Sequence, residues 1–157
     1  MGSEIGKFEV KRDTIQPGTK FGTTKEALDG MHEQANKAGV PLNQSDPSKF
    51  GSIYTLRDTN GSVTEALITR NANKMFDMPA QTIWVKGDEV RIDRDGDGKF
   101  EELHIGYVWD NDDGTPRRMD VTESAYDTGN GIVDPNEVVQ HAPMDDLWGN
   151  TGKNMYF

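Results

Sequence analysis

"QTIWVKGDEVRIDRDGDGKFEEL" (residues 81–103) carries the strongest fold signal in this chain. Its first twelve residues hold two short runs rich in β-branched and aromatic side chains: Ile83, Trp84 and Val85, then Val90 and Ile92. Gly87-Asp88 lies between them and suits a two-residue turn with glycine first, so 81–92 reads as an antiparallel hairpin rather than a helix. The second run enters an acidic stretch at Asp93 and leaves through "KFEELHIGYVWD" (99–110). There Leu103, Ile105, Tyr107 and Trp109 alternate with more polar residues, as one core-facing side of a strand does.

The same pattern extends on both sides. "SIYTLRDTNGSVTEALITR" (52–70) places Asn60-Gly61 between two strand-like runs, a second hairpin signal. "RDTNGSVTEAL" (57–67) also aligns with "RDGDGKFEEL" (94–103) at an offset of 37 residues, which implies two similar hairpins in one meander. "GKFEVKR" (6–12) alternates like an edge strand, "NANKMFDM" (71–78) suits one helical turn, and "PLNQSDPSKFGS" (41–52) reads as a polar loop. The clearest helix is "TTKEALDGMHEQANKAGV" (23–40), with Thr23 or Thr24 as cap, an apolar stripe of Ala27, Leu28, Met31 and Ala35, and Gly39 as stop. A short helical segment is expected from Pro135. The predicted class is α+β, an N-terminal helix packed on an antiparallel β-meander with acidic hairpin loops and a short C-terminal helical segment. At 157 residues one domain spanning 1–157 is expected, with flexible ends at 1–6 and 149–157.

Composition narrows the function classes. The absence of cysteine excludes disulfides, thiol catalysis and thiolate zinc sites. The formal net charge of −10 argues against nucleic acid and anionic membranes as partners. No apolar run reaches the roughly 18–20 residues of a membrane span. Residues 87–146 hold 17 Asp and Glu against 5 Lys and Arg, a net of −12, which favours a neutralising cation or a well-solvated surface. No leader is expected at the start, and "MGSEIG" does not fit a myristoylation site because Gly6 replaces Ser or Thr. The cysteine-free composition fits an extracytoplasmic address, secreted or periplasmic.

The acidic stretch has the spacing of a hard-cation loop. Asp93, Asp95 and Asp97 occupy alternate positions 1, 3 and 5, Gly98 permits the sharp turn at 6, the Lys99 carbonyl falls at 7 and Glu101 at 9. "DRDGDGKFE" resembles the calcium loops of EF-hand, dockerin, integrin-type and thrombospondin-type repeats over about nine residues. It departs from the EF-hand at position 12, which is His104, and in its entering strand. The resemblance therefore implies Ca2+ held in a β-hairpin, with Glu101 closing the cage. The competing explanation is a tight turn with solvated carboxylates, since Asp and Gly favour turns for backbone reasons alone.

"YDTGNGIVDPNEVV" (126–139) is a second candidate, with Asp127, Asn130, Asp134 and Glu137 as oxygen ligands in a degenerate EF-hand or dockerin-like loop. Asp134 as N-cap, Pro135 at N1 and Glu137 at N3 would equally make a metal-free capping box. "RDTNGSVTE" lacks a leading oxygen ligand because Leu56 stands there, and "WDNDDGTPRR" (109–118) reads as an acidic hairpin turn.

No nucleophile elbow, phosphate loop or dinucleotide fingerprint occurs. The three histidines, His32, His104 and His141, form no zinc spacing; His32 and His141 are expected to be solvated, and His104 to pack or point outward from a strand. Adjacent Glu101 and Glu102 should face opposite sides of a strand. Trp84, Trp109 and Trp148, with Tyr54, Tyr107 and Tyr126, offer either core or a sugar- or protein-binding surface. The sequence thus points to a calcium-binding domain with a protein or glycan partner. An acidic interaction module without metal and a small secreted hydrolase using loop carboxylates are the rivals.

Overall fold

The computed structural model describes residues 14–45, 51–75, 77, 79–107 and 120–146. The strand expected at 6–12, the ends at 1–6 and 149–157, the acidic turn at 109–118 with Trp109, and Trp148 lie outside these residues.

One helix and eight strands make up the described chain. The helix α1 is Thr24–Ala38, and the strands are β1 Asn43–Ser45, β2 Gly51–Arg57, β3 Val63–Arg70, β4 Gln81–Lys86, β5 Glu89–Asp93, β6 Glu102–Tyr107, β7 Asp120–Tyr126 and β8 Val138–Asp146. Each strand pairs antiparallel with the next, giving one sheet in the order β1 to β8. The fold is mostly β, a helix packed on a meander, as the alternating runs imply. Sequential pairing through short turns is the simplest way for such runs to satisfy their backbone groups.

Helix α1 begins where its chemistry says it should. Thr23 accepts a hydrogen bond from the Glu26 N–H while Glu26 accepts one from the Thr23 N–H, a reciprocal capping box. Gly39 ends it in the left-handed conformation, its N–H bonded to the Ala35 and Asn36 carbonyls. The stripe Ala27, Met31 and Ala35 is buried against Leu56, Leu67, Leu103 and Ile105.

The β4–β5 hairpin pairs Lys86 with Glu89 across Gly87-Asp88, with Gly87 at φ 63°, as the glycine-first turn requires. The β2–β3 hairpin forms too, but its turn starts earlier than Asn60-Gly61. Asp58 N–H bonds the Ser62 carbonyl and Gly61 N–H bonds the Asp58 carbonyl, with Gly61 at φ 87°. That is a three-residue loop with a glycine bulge, and its register shift falls at Leu56/Arg57.

Two local expectations are corrected. The polar loop at 41–52 contains β1, whose Ser45 pairs with Ile53. In 71–78 the described residues form a hydrogen-bonded reverse turn rather than a helix, Asp77 N–H bonding the Lys74 carbonyl at 3.2 Å with Asp77 at φ 56°. The short helical segment expected from Pro135 forms as one 3-10 turn, Pro135–Glu137, which Val138 ends in an extended conformation that runs straight into β8.

Both faces of the sheet are covered. Leu67, Trp84, Arg91, Leu103 and Ala125 follow one another across the strands on the helix side, and all but Arg91 belong to the apolar cluster there. Ile53, Ile68, Ile83 and Ile92 do so on the other, where they join Val85, Val90 and Val121 in a second cluster.

Candidate metal centre

The acidic loop between β5 and β6 is held by a strap that precedes α1. Thr24 N–H bonds the Gly98 carbonyl at 2.9 Å, and Phe100 N–H bonds the Gly22 carbonyl at 3.0 Å. The same strap runs on to the second acidic loop, where Phe21 N–H bonds the Gly131 carbonyl and Val133 N–H bonds the Thr19 carbonyl. Phe21, Phe100 and Val133 are fully buried beneath it. Burying each phenyl ring contributes about 1.5–3 kcal/mol to anchoring the loops.

Within the first loop the carboxylates of Asp93, Asp95, Asp97 and Glu101 converge. One oxygen from each lies within 4.8 Å of the others. Asp93 is buried at 1% exposure, Asp95 and Asp97 are exposed, and Glu101 is half-buried. The turn itself explains part of this arrangement. Asp93 accepts from Gly96 N–H at 2.9 Å and Gly98 N–H at 2.8 Å, Asp95 from Asp97 N–H, Asp97 from Lys99 N–H, and Glu101 from Arg94 N–H at 2.8 Å. Each aspartate thus closes a small backbone ring, which is what Asp does in turns.

The electrostatics are those of a crowded anionic site. Burial pushes the Asp93 carboxyl up, against the hydrogen bonds from Gly98 and Gly96, and Asp95 and Asp97 push it the same way. Burial raises the Glu101 carboxyl to about 7, with Asp95, Asp93 and Asp97 adding repulsion. Asp95 is lowered, first by the Asp97 N–H and then by its bond with Asp93. Glu101 in the metal-free loop is therefore partly protonated at neutral pH, and a divalent cation bound there would replace that proton.

The structure brings together four of the nine residues singled out from the sequence. The Lys99 side chain is exposed, as expected of a residue offering only its carbonyl. The second loop is arranged differently. Asp127 accepts from Gly129 and Gly131 N–H groups, and the Asn130 amide donates to Asp134 at 2.9 Å. Glu137 accepts from the Asp134 N–H and from the Thr128 hydroxyl. The Thr128 hydroxyl, followed by the Asp134 N–H, holds the Glu137 carboxyl below its usual range. Asp127, Asp134 and Glu137 do not converge as the first four acids do; among the described residues, Asp93, Asp95, Asp97 and Glu101 are the one group of three or more acids or histidines that does.

Glu101 and Glu102 diverge as strand neighbours should. Glu101 turns into the loop, while Glu102 turns to His104 and Arg94 on the far face. His104 is buried outright, and His141 lies on β8, half-buried and bonded to Ser124 rather than solvated. Trp84 is a core residue at the rim. It stacks on Phe100 with centroids 5.8 Å apart, donates to Glu65 at 2.6 Å, and carries Arg91 5.3 Å from its ring. It borders an open cleft of about 450 Å³, whose lining includes Lys20, Lys86 and Arg91 opposed by Glu26, Asp88 and Glu89.

Comparison with protein-family models, with curated proteins and with solved structures found no match. The acidic cluster, which can hold a metal ion, is thus the functional feature on which the chain must be read.

Proposed function

We propose that this chain binds one calcium ion through Asp93, Asp95, Asp97 and Glu101, with the Lys99 carbonyl as a further oxygen. The convergence of four carboxylates within 4.8 Å is the observation that carries this reading. Oxygen-only ligands on a loop with several glycines suit calcium, whose shell of 6–8 oxygens adapts, better than magnesium, which demands a near-ideal octahedron. The ion's role is structural. It fixes the β5–β6 turn, discharges the repulsion felt by Asp93 and Glu101, and presents the domain to a protein or glycan partner. An extracytoplasmic address belongs to the same proposal, because modules of that kind bind at roughly 10⁻⁴–10⁻³ M calcium. The loop at Asp127, Asn130, Asp134 and Glu137 makes a weaker second site, since its acids do not converge as the first four do.

Thermal unfolding in EDTA, calcium and magnesium tests the proposal. At a hundred times the dissociation constant, a ligand confined to the folded state adds about 2.7 kcal/mol, a rise of several degrees. Asp95→Asn with Asp97→Asn keeps oxygens for the backbone N–H groups but removes two charges, and is expected to abolish the rise. If calcium produces no shift in the unsubstituted chain, the calcium reading falls and the acidic face becomes a surface for a basic partner.

A further inference from the structure

Two Asn-Gly pairs lie in turns of the described chain, Asn60-Gly61 between β2 and β3 and Asn130-Gly131 in the second acidic loop. All four residues are exposed, and the glycines share the left-handed conformation at φ 87° and 80°. What surrounds them differs. Gly61 N–H donates to the Asp58 carbonyl, a neutral peptide oxygen, at 3.0 Å. Gly131 N–H donates to a carboxylate, Asp127 Oδ1, at 3.0 Å, and the Gly129 N–H at 2.8 Å steadies the same oxygen. The Asn130 side chain is held at both ends. Its Oδ1 accepts from the Ile132 N–H at 3.1 Å, and its Nδ2 donates to Asp134 Oδ2 at 2.9 Å. Turning the amide over would set donor against donor and oxygen against carboxylate, so the network fixes which end is which.

An asparagine followed by glycine can react with its own chain, because glycine carries no Cβ to shield its nitrogen. That nitrogen attacks the side-chain carbonyl carbon and displaces ammonia. The step needs a base for the N–H proton, a donor for the developing oxyanion, and a side chain already folded toward the nitrogen. Asp127 touches the proton that must leave. The Ile132 N–H touches the oxygen that gains charge. The bond from Ile132 back to Asn130 Oδ1 closes a ring that includes the Gly131 nitrogen, which folds the amide carbon over it.

We propose that Asn130-Gly131 is a site of self-catalysed deamidation, with Asp127 as its general base. Asp127 takes the Gly131 proton as the nitrogen bonds to Asn130 Cγ and the carbonyl electron pair moves onto Oδ1. The pair returns, the Cγ–Nδ2 bond breaks, and Nδ2 leaves as ammonia with the proton that Asp127 held. The cyclic imide left behind takes up one water and opens at either carbonyl, giving aspartate or its β-linked isomer at position 130. The product has no amide to donate to Asp134 and adds one negative charge to an acidic loop.

The test is peptide mapping by mass spectrometry on the full chain, aged near neutral pH in EDTA so that the result does not depend on the calcium reading. In the folded chain Asn130 is expected to deamidate about tenfold faster than Asn60, a modest share of what a positioned base supplies. In concentrated urea the two pairs should react at similar rates, because only the local sequence then acts. Asp127→Asn keeps an oxygen for the Gly129 and Gly131 N–H groups but takes no proton, and should bring Asn130 down to the rate of Asn60. Asn130 reacting no faster than Asn60 in the unsubstituted folded chain overturns the proposal, and that comparison stands if the variant does not fold. So does a folded Asp127→Asn chain in which Asn130 reacts at the unsubstituted rate.

Discussion

Gly96 and Gly98 stand two positions apart in the acidic loop, at φ 77° and 87°, and differ in what a side chain would meet. A Cβ at Gly98 has open space, whereas one at Gly96 would sit 2.7 Å from the Ala80 carbonyl oxygen. Gly98→Ala should therefore cost only the left-handed conformation, about 1–2 kcal/mol. Gly96→Ala should cost clearly more, and the urea midpoints of the two variants in EDTA rank them. Glu101 carries the loop's pH dependence. Its carboxyl sits at about 7 in the fold against an ordinary 4.5, so between those values the folded chain holds a proton that the unfolded chain has released. Stability without metal should fall as pH rises through that window and level off above it. Calcium entering the loop displaces the same proton. Titration calorimetry in two buffers of different ionisation enthalpy should show proton release approaching one near pH 6 and vanishing above pH 8.

At the scale of elements, two adjacent threonines at the start of α1 have opposite fates. Thr23 accepts from Glu26 N–H, while Thr24 Oγ1 is buried without a hydrogen-bond partner. Thr23→Ala should cost about 1 kcal/mol. Thr24→Val keeps the shape, removes the unsatisfied hydroxyl and should stabilise by about 1 kcal/mol; thermal unfolding of both separates the roles. The capping residues of α1 and the glycine-first turn of β4–β5 were legible because the signal lies within a few consecutive residues. So was the convergence of Asp93, Asp95, Asp97 and Glu101, whose alternate spacing is local. The offset of 37 residues also holds in the backbone: Gly61 and Gly98 share φ 87°, and Asp58 and Asp95 each accept the N–H two residues on. Strand β8 was hidden by a true local signal. Asp134-Pro135 and Glu137 do start a helical turn, but Val138 and Val139 continue it as a strand that pairs with β7. The hydrogen-bonded series Glu102, His104, Ser124 and His141 had no sequence signature at all. Its members meet only through the register of three strands, across separations of 20 and 17 residues between histidine and serine.

At the scale of the molecule, charge separates the readings. The formal net charge is −10, and residues 87–146, which include both acidic loops, carry −12. The two loops lie against one strap, with Asp127 N–H bonded to the Glu101 carbonyl at 2.9 Å. Screening such repulsion should raise the stability of the metal-free chain as sodium chloride increases. A diffuse acidic surface would respond to calcium no more than to sodium at equal ionic strength, whereas a built site responds to calcium beyond it. Glu101→Gln sharpens the contrast, because it removes the charge that burial and three aspartates disfavour most. Near pH 8 the variant should be more stable than the unsubstituted chain in EDTA. It should also gain less from calcium, so that the order of the two unfolding temperatures reverses on adding the ion. An order that stays the same in EDTA and in calcium would mean that Glu101 contributes repulsion but no ligand. The charge would then serve the surface rather than a cage.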